Sequence, residues 1–121
     1  MGTVKQSQVT PIVIGDRRTR YLAHTDQLMM AVIDFDDGPT AEPDPPHAHP
    51  HEQVSYVAAG EIIFYLDGVA THLGSGDLFT VPSGVPHAIQ LLSVHARIVD
   101  AFHPLRDEFL ADHPSVEPKK T

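Results

Sequence analysis

Short apolar runs recur along the chain with turn residues between them, and before residue 104 none has a helical period. PIVI at 11–14, RYLAH at 20–24 and LMMAVIDF at 28–35 come first. DDGPTAEPDPP at 36–46 reads as a loop, because its prolines and glycine exclude a central strand. QVSYVAAG at 53–60 leads into EIIFYL at 61–66, then Asp67-Gly68, then VATHL at 69–73. Asp-Gly between two β-rich runs predicts a hairpin. Gly74-Ser75-Gly76-Asp77 is a second turn, followed by DLFTVP, HAIQLLS at 87–93 and HARIVDAF at 95–102. Many short strands with dense turns predict an all-β sandwich or barrel. PLRDEFLAD at 104–112 predicts one short C-terminal helix with Pro104 in its first turn. Residues 1–15 are expected to form a partly frayed or edge-strand segment, 16–112 the barrel domain, and 113–121 a polar, disordered tail.

A length of 121 residues fits one domain with its own core. No cysteine is present, so disulfides and thiolate ligands are excluded. The formal charge of −8 argues against nucleic acid, which needs a basic face. It also means that an anionic substrate requires a local cation or metal. No apolar run approaches the roughly 18 residues of a membrane span, so no membrane partner is expected. The N-terminal MGTVKQSQVT lacks the apolar stretch of a signal peptide, and a cytoplasmic location is the expectation.

The histidines change the picture more than the charge does. In an extended chain, His47, His49 and Gln53 share one face and can converge inside a barrel. His51 shares that parity but sits beside Pro50, where a bend turns it aside; Glu52 has the opposite parity and points outward. A second segment, Gly76 to His87, reads G-x5-P-x-G-x2-H, and the first reads H-x-H-x3-Q-x6-G. Glycines and prolines fix the turns that deliver His87. Together the segments resemble the two motifs of the cupin superfamily, with Gln53 where Glu is usual, Leu91 where Asn is usual and Ala41 where Gly is usual. The resemblance implies a single-domain double-stranded β-helix, or jelly-roll barrel. An amide at position 53 leaves the site one negative charge short, which favours an anionic ligand.

The match extends to L-M-M at 28–30, H-x-H-P-H-E-Q-x-S-Y-V at 47–57, V-P-x-G-V-P-H at 81–87 and D-A-F-x-P-x-R-D-E-F at 100–109. Across about residues 17 to 110 the chain resembles the small KdgF-type pectin-degradation cupins. The resemblance implies that His47, His49, Gln53 and His87 hold one divalent metal ion (Ni, Fe, Mn or Zn), and that Asp100, Phe102 and Arg106 line the reaction site. It implies an enzyme that linearises cyclic 4,5-unsaturated monouronates to open-chain 5-keto-4-deoxyuronate, with a small anionic sugar acid as substrate. The metal would act as a Lewis acid, Asp100 would move a proton, Arg106 would orient the carboxylate and Phe102 would pack on the sugar. By analogy with other cupins, which often pair through N-terminal strands, a homodimer is expected, since one barrel edge needs covering. Two rival readings are a cupin dioxygenase with redox-active iron or copper, and a non-catalytic sugar-acid-binding cupin.

The residues leave alternatives open. Ile98, Asp100 and Phe102 share a face, so Asp100 either pairs with Arg97 or Arg106 or handles a proton. Arg106 either clamps a carboxylate or opens a surface helix with Asp107 and Glu108. Asp34, Asp36 and Asp37 lack full calcium-loop spacing and read as a solvated turn. Arg17, Arg18 and Arg20 also read as a solvated turn. Against the family it resembles, the loop at 38–46 is longer, and the resemblance implies that the extra Glu42, Pro43 and Asp44 fall near the pocket mouth. His24, His72, His95, His103 and His113 are expected to be structural or exposed. Ser55 and Ser83 have no nucleophile setting, and Tyr56, Phe64 and Tyr65 are expected in the core and barrel lining.

Overall fold

A computed structural model describes residues 2–112; the expectations for 113–121, including His113, lie outside the described residues. Among the described residues, nine antiparallel strands form two sheets. They are β1 (Ile12–Gly15), β2 (Arg18–His24), β3 (Met29–Phe35), β4 (Glu52–Ala59), β5 (Glu61–Leu66), β6 (Val69–Gly74), β7 (Leu78–Val81), β8 (His87–Leu91) and β9 (Ala96–His103). The first sheet runs β1-β2-β3-β9-β4-β7 and the second β6-β5-β8. This is the all-β architecture expected from the strand pattern, in the jelly-roll form that the family resemblance implies.

Turn chemistry sets the register. Asp67 and Gly68 both adopt positive φ, 49° and 82°, which matches the two-residue hairpin joining β5 to β6. Gly60, at φ 85°, lets β4 turn into β5, and a side chain there would run into the His95 carbonyl. The proline-rich loop at 36–46 lies along β8: Thr40 N–H donates to the Leu91 carbonyl at 3.0 Å and Asp44 N–H to the Ile89 carbonyl at 2.9 Å.

Alternation on the strands produces two apolar clusters. Phe35, Val57, Ile62, Phe64, Leu91 and Ile98 belong to the larger one, which fills one end of the barrel. Leu22, Met29, Ala31 and Phe102 form the smaller, against which Leu105, Phe109 and Leu110 pack. That packing seats helix α1 (Asp107–Asp112) beneath the first sheet's inner face. The helix begins three residues later than expected: Phe109 N–H donates to the Arg106 carbonyl in its first turn, and Pro104 lies in the preceding bend. Tyr56 is also corrected. It has the outward parity of β4 and is 43% exposed, whereas Phe64 is core.

Candidate metal centre and active site

Backbone pairing brings the first two ligand candidates together. His47 N–H donates to the His87 carbonyl at 3.0 Å and His87 N–H to the His47 carbonyl at 2.9 Å, an isolated antiparallel bridge. Their ring centroids are 4.3 Å apart. Gly84 N–H donates to the His49 carbonyl at 2.8 Å, so the second motif's turn is fastened onto the first motif. His49 completes the group, with its ring 4.7 Å from that of His87. The candidate ligand nitrogens of His47, His49 and His87 all lie within 4.8 Å of one another.

Two imidazoles are already in one tautomer. His49 Nδ1–H donates to the His51 carbonyl and His87 Nδ1–H to the Val85 carbonyl, each at 2.9 Å. A carbonyl only accepts, so both Nε2 atoms carry lone pairs when the rings are neutral. Gln53 is fixed as well: its Nε2 donates to Ser55 Oγ at 2.9 Å and to Asp100 Oδ1 at 3.3 Å. Its Oε1 therefore faces His49 Nε2, at 3.0 Å. Two acceptors at that separation need a proton or a cation between them. Burial, then Arg106, lowers the His49 pKa and disfavours the proton. A divalent cation, which accepts imidazole nitrogen and amide oxygen lone pairs together, would satisfy both. The donor set thus fits a divalent ion. Burial also lowers His87, and partial enclosure followed by the nearby His87 and His49 pushes His47 down to about 4, so all three rings are neutral near pH 7.

Asp100 is buried beside this centre. Direct cross-strand pairs set Ser55 against Asp100 and Gln53 against Phe102. Ser55 Oγ–H and Gln53 Nε2–H both donate to Asp100 Oδ1. Burial pushes the Asp100 carboxyl up to about 6, opposed by Ser55, Arg106 and Gln53. The expected alternatives for a structural ion pair are not used: Arg97 pairs with Asp34 at 2.8 Å, and Arg106 with Glu108 at 2.9 Å. Arg106 nevertheless stands on the cavity wall, its guanidinium 4.2 Å from the Phe109 ring centroid and 5.1 Å from that of Phe102. The cavity is about 540 Å³ and is shared by His47, Gln53, His87, Asp100, Phe102 and Arg106.

Several residues were misread from the sequence. Arg18 and Arg20 are not in a solvated turn; only Arg17, at φ 58°, is a turn residue. Arg18 and Arg20 lie on β2 with the parity of buried Leu22 and line the cavity. Arg18 is held by Asp37 at 3.0 Å and Asp44 at 2.7 Å, which raises its pKa and ties the loop to the first sheet. Asp34 likewise lies in β3 and not in a turn. Ser55, dismissed as a nucleophile, donates a hydrogen bond to Asp100; the Gln53–Ser55–Val57 alternation signals that it faces inward, not what it meets there. His51 is buried, its ring 5.6 Å from that of His49; Glu52 is exposed.

The cupin domain family matches residues 35–102. The pectin degradation protein KdgF of Dickeya dadantii (strain 3937) is 30% identical over 99 residues, covering 80% of this chain and 87% of that protein. An RmlC-like cupin from Shewanella frigidimarina NCIMB 400 superposes with a TM-score of 0.81 at 34% identity, over 90% of this chain and 96% of the other. KdgF from Halomonas sp. gives the same TM-score of 0.81 at 29% identity, over 91% and 100%.

Proposed function

Because the chain belongs to the cupin domain family, we propose that it is a metal-dependent enzyme of pectin or alginate catabolism that opens cyclic 4,5-unsaturated monouronates to 5-keto-4-deoxyuronates. The observation that carries this reading is the buried Asp100 carboxyl, joined through Gln53 to the histidine group on the wall of a cavity that also holds Arg106. The likeness to two KdgF proteins supports the substrate class.

His47, His49, Gln53 and His87 would hold the ion, whose chemistry is that of a Lewis acid towards a carboxylate or enolate oxygen. The reaction is an isomerisation. The anomeric hydroxyl loses a proton, the bond from C1 to the ring oxygen breaks, and the resulting C5 enol becomes a ketone as C4 gains a proton. Asp100 suits the proton transfers. Oδ1 is engaged by Ser55 and Gln53, which leaves Oδ2 to face the substrate, and a pKa near 6 allows both loss and gain of a proton near neutrality. Arg106 orients the sugar carboxylate, and Phe102 packs against the ring. Ser55 and Gln53 keep the carboxyl from rotating.

The test is an anaerobic assay of purified protein, loaded with each candidate metal, on a 4,5-unsaturated monouronate. Ultraviolet absorbance of the conjugated double bond should fall only with metal present and without oxygen uptake. Oxygen consumption coupled to turnover, or binding of the sugar with no change in absorbance, would overturn the reading.

A further inference from the structure

The cavity that holds the histidine group changes character along its strands. On β9 the inward neighbour of Asp100 is Ile98, and on β8 the inward neighbour of His87 is Ile89. A step of two residues is about 7 Å, so an apolar stretch begins that far along the barrel from the polar set. Ile33, paired directly with Ile98 across β3 and β9, and Phe79 of β7 complete it. Ile33 and Ile89 pack against the larger apolar cluster and have inward parity, yet both are only half-buried. Their remaining exposed area therefore lies on the cavity. Arg18 stands beside this stretch, its guanidinium 4.9 Å from the Phe35 ring centroid. Asp37 and Asp44 already hold that guanidinium, at 3.0 Å and 2.7 Å, so it adds no unmatched positive charge.

An unsubstituted monouronate leaves the apolar stretch unmet. A hydroxyl turned towards Ile33, Ile89 or Ile98 would lose water and find no hydrogen-bond partner on those side chains. We propose that the stretch is a subsite for a short acyl group, and that the cavity takes monouronates esterified on O2. The choice of position rests on the ring-opening reading above. In that reaction C1 must keep a free hydroxyl, C4 and C5 share the double bond, and C6 is the carboxylate directed at Arg106. O2 and O3 alone remain to carry a substituent. C2 lies across the ring from C5, so with the carboxylate at the polar set a group on O2 reaches furthest along the barrel. The cavity volume of about 540 Å³ lies within the ~300–1,000 Å³ of small-molecule sites, ample for one sugar ring and a short tail.

Two series on the full chain test this. The first uses simple carboxylates and owes nothing to ring opening. Propanoate, butanoate, pentanoate and hexanoate are titrated against the protein with and without metal, and binding is followed by ligand-observed NMR. The dissociation constant should fall about 4-fold for each added CH₂, with the strongest saturation transfer at the terminal methyl. Ile89→Thr, which keeps the branch at Cβ, should flatten the series and leave ring opening of the unsubstituted uronate unchanged. The second series compares ring opening of the unsubstituted, 2-O-acetyl and 2-O-butanoyl monouronates. kcat/KM should rise along it, by roughly 15-fold from acetyl to butanoyl. A flat carboxylate series in wild type overturns the subsite, whatever the protein does to sugars. A steep carboxylate series beside a preference for the unsubstituted uronate overturns the O2 assignment. A steep series with no uronate opened strikes the ring-opening reading and the O2 assignment with it, and leaves the apolar subsite standing.

Discussion

On β4, Val57 packs into the larger apolar cluster, while Ser55 and Gln53, two and four residues earlier, carry hydrogen-bonding groups into the same interior. β9 does the same in reverse: Ala96 and Ile98 join the cluster and Asp100 leaves it. One end of the barrel is thus filled by the larger apolar cluster alone, while at the other the smaller cluster surrounds directed bonds from Gln53 and Ser55 to Asp100. The apolar end tolerates a swap of similar volume. The polar end tolerates only a group of similar shape and hydrogen-bonding capacity, because Gln53 Nε2 donates to two acceptors and Asp100 Oδ1 accepts from two donors. The larger apolar cluster and the proposed reaction site therefore occupy different segments of the same strands, and substitutions can separate them.

The largest separation is expected at the histidines. His87→Ala, or His47→Ala, should empty the metal site and abolish turnover while the apolar end keeps the chain folded; a full equivalent of bound metal by elemental analysis would contradict the ligand set. Next, Asp100→Asn should keep fold and metal and lose ~10²–10⁴-fold in turnover, the usual range for general acid–base catalysis. Asn preserves the shape and still accepts from Ser55 and Gln53. A lower melting temperature with turnover per folded molecule unchanged would instead mark Asp100 as structural. At the other end, Ile62→Ala, at a fully buried position, should cost about 2–5 kcal/mol of stability by denaturant unfolding and leave turnover of the folded fraction near wild type. The smallest effect is expected from Asp44→Asn. It removes one of two carboxylates from a partly exposed ion pair with Arg18 and should cost at most ~1 kcal/mol.

The strands were legible in the sequence because turn residues punctuate them so densely. Each apolar run named there overlaps a strand, and the loop at 36–46 is a loop. Parity was equally informative where one strand face is buried: Glu52 is exposed while Gln53 is buried. Long-range pairing was less accessible. Nothing near Ser55 announces Asp100, which is 45 positions away and is brought opposite only by the β4–β9 register. Arg18 and Arg20 were misjudged for a different reason. Three arginines within four positions look solvated, yet only Arg17 turns, and the two others alternate with Thr19 on a strand. A guanidinium on an inward face is unusual enough that composition outweighed parity.

The two carbonyls that accept from His49 and His87 have a consequence for the heat of metal uptake. Both rings are held by folding with Nε2 as the lone pair, and burial keeps them neutral near pH 7. On the proposed ligand set, an entering ion would displace no proton from these two rings and flip neither of them. Calorimetric titrations in buffers of different ionisation enthalpy should superimpose, whereas a thiolate or protonated-histidine site would return a heat that tracks the buffer. The folded chain would also take up its ion in a single kinetic phase, with no slower rearrangement behind it.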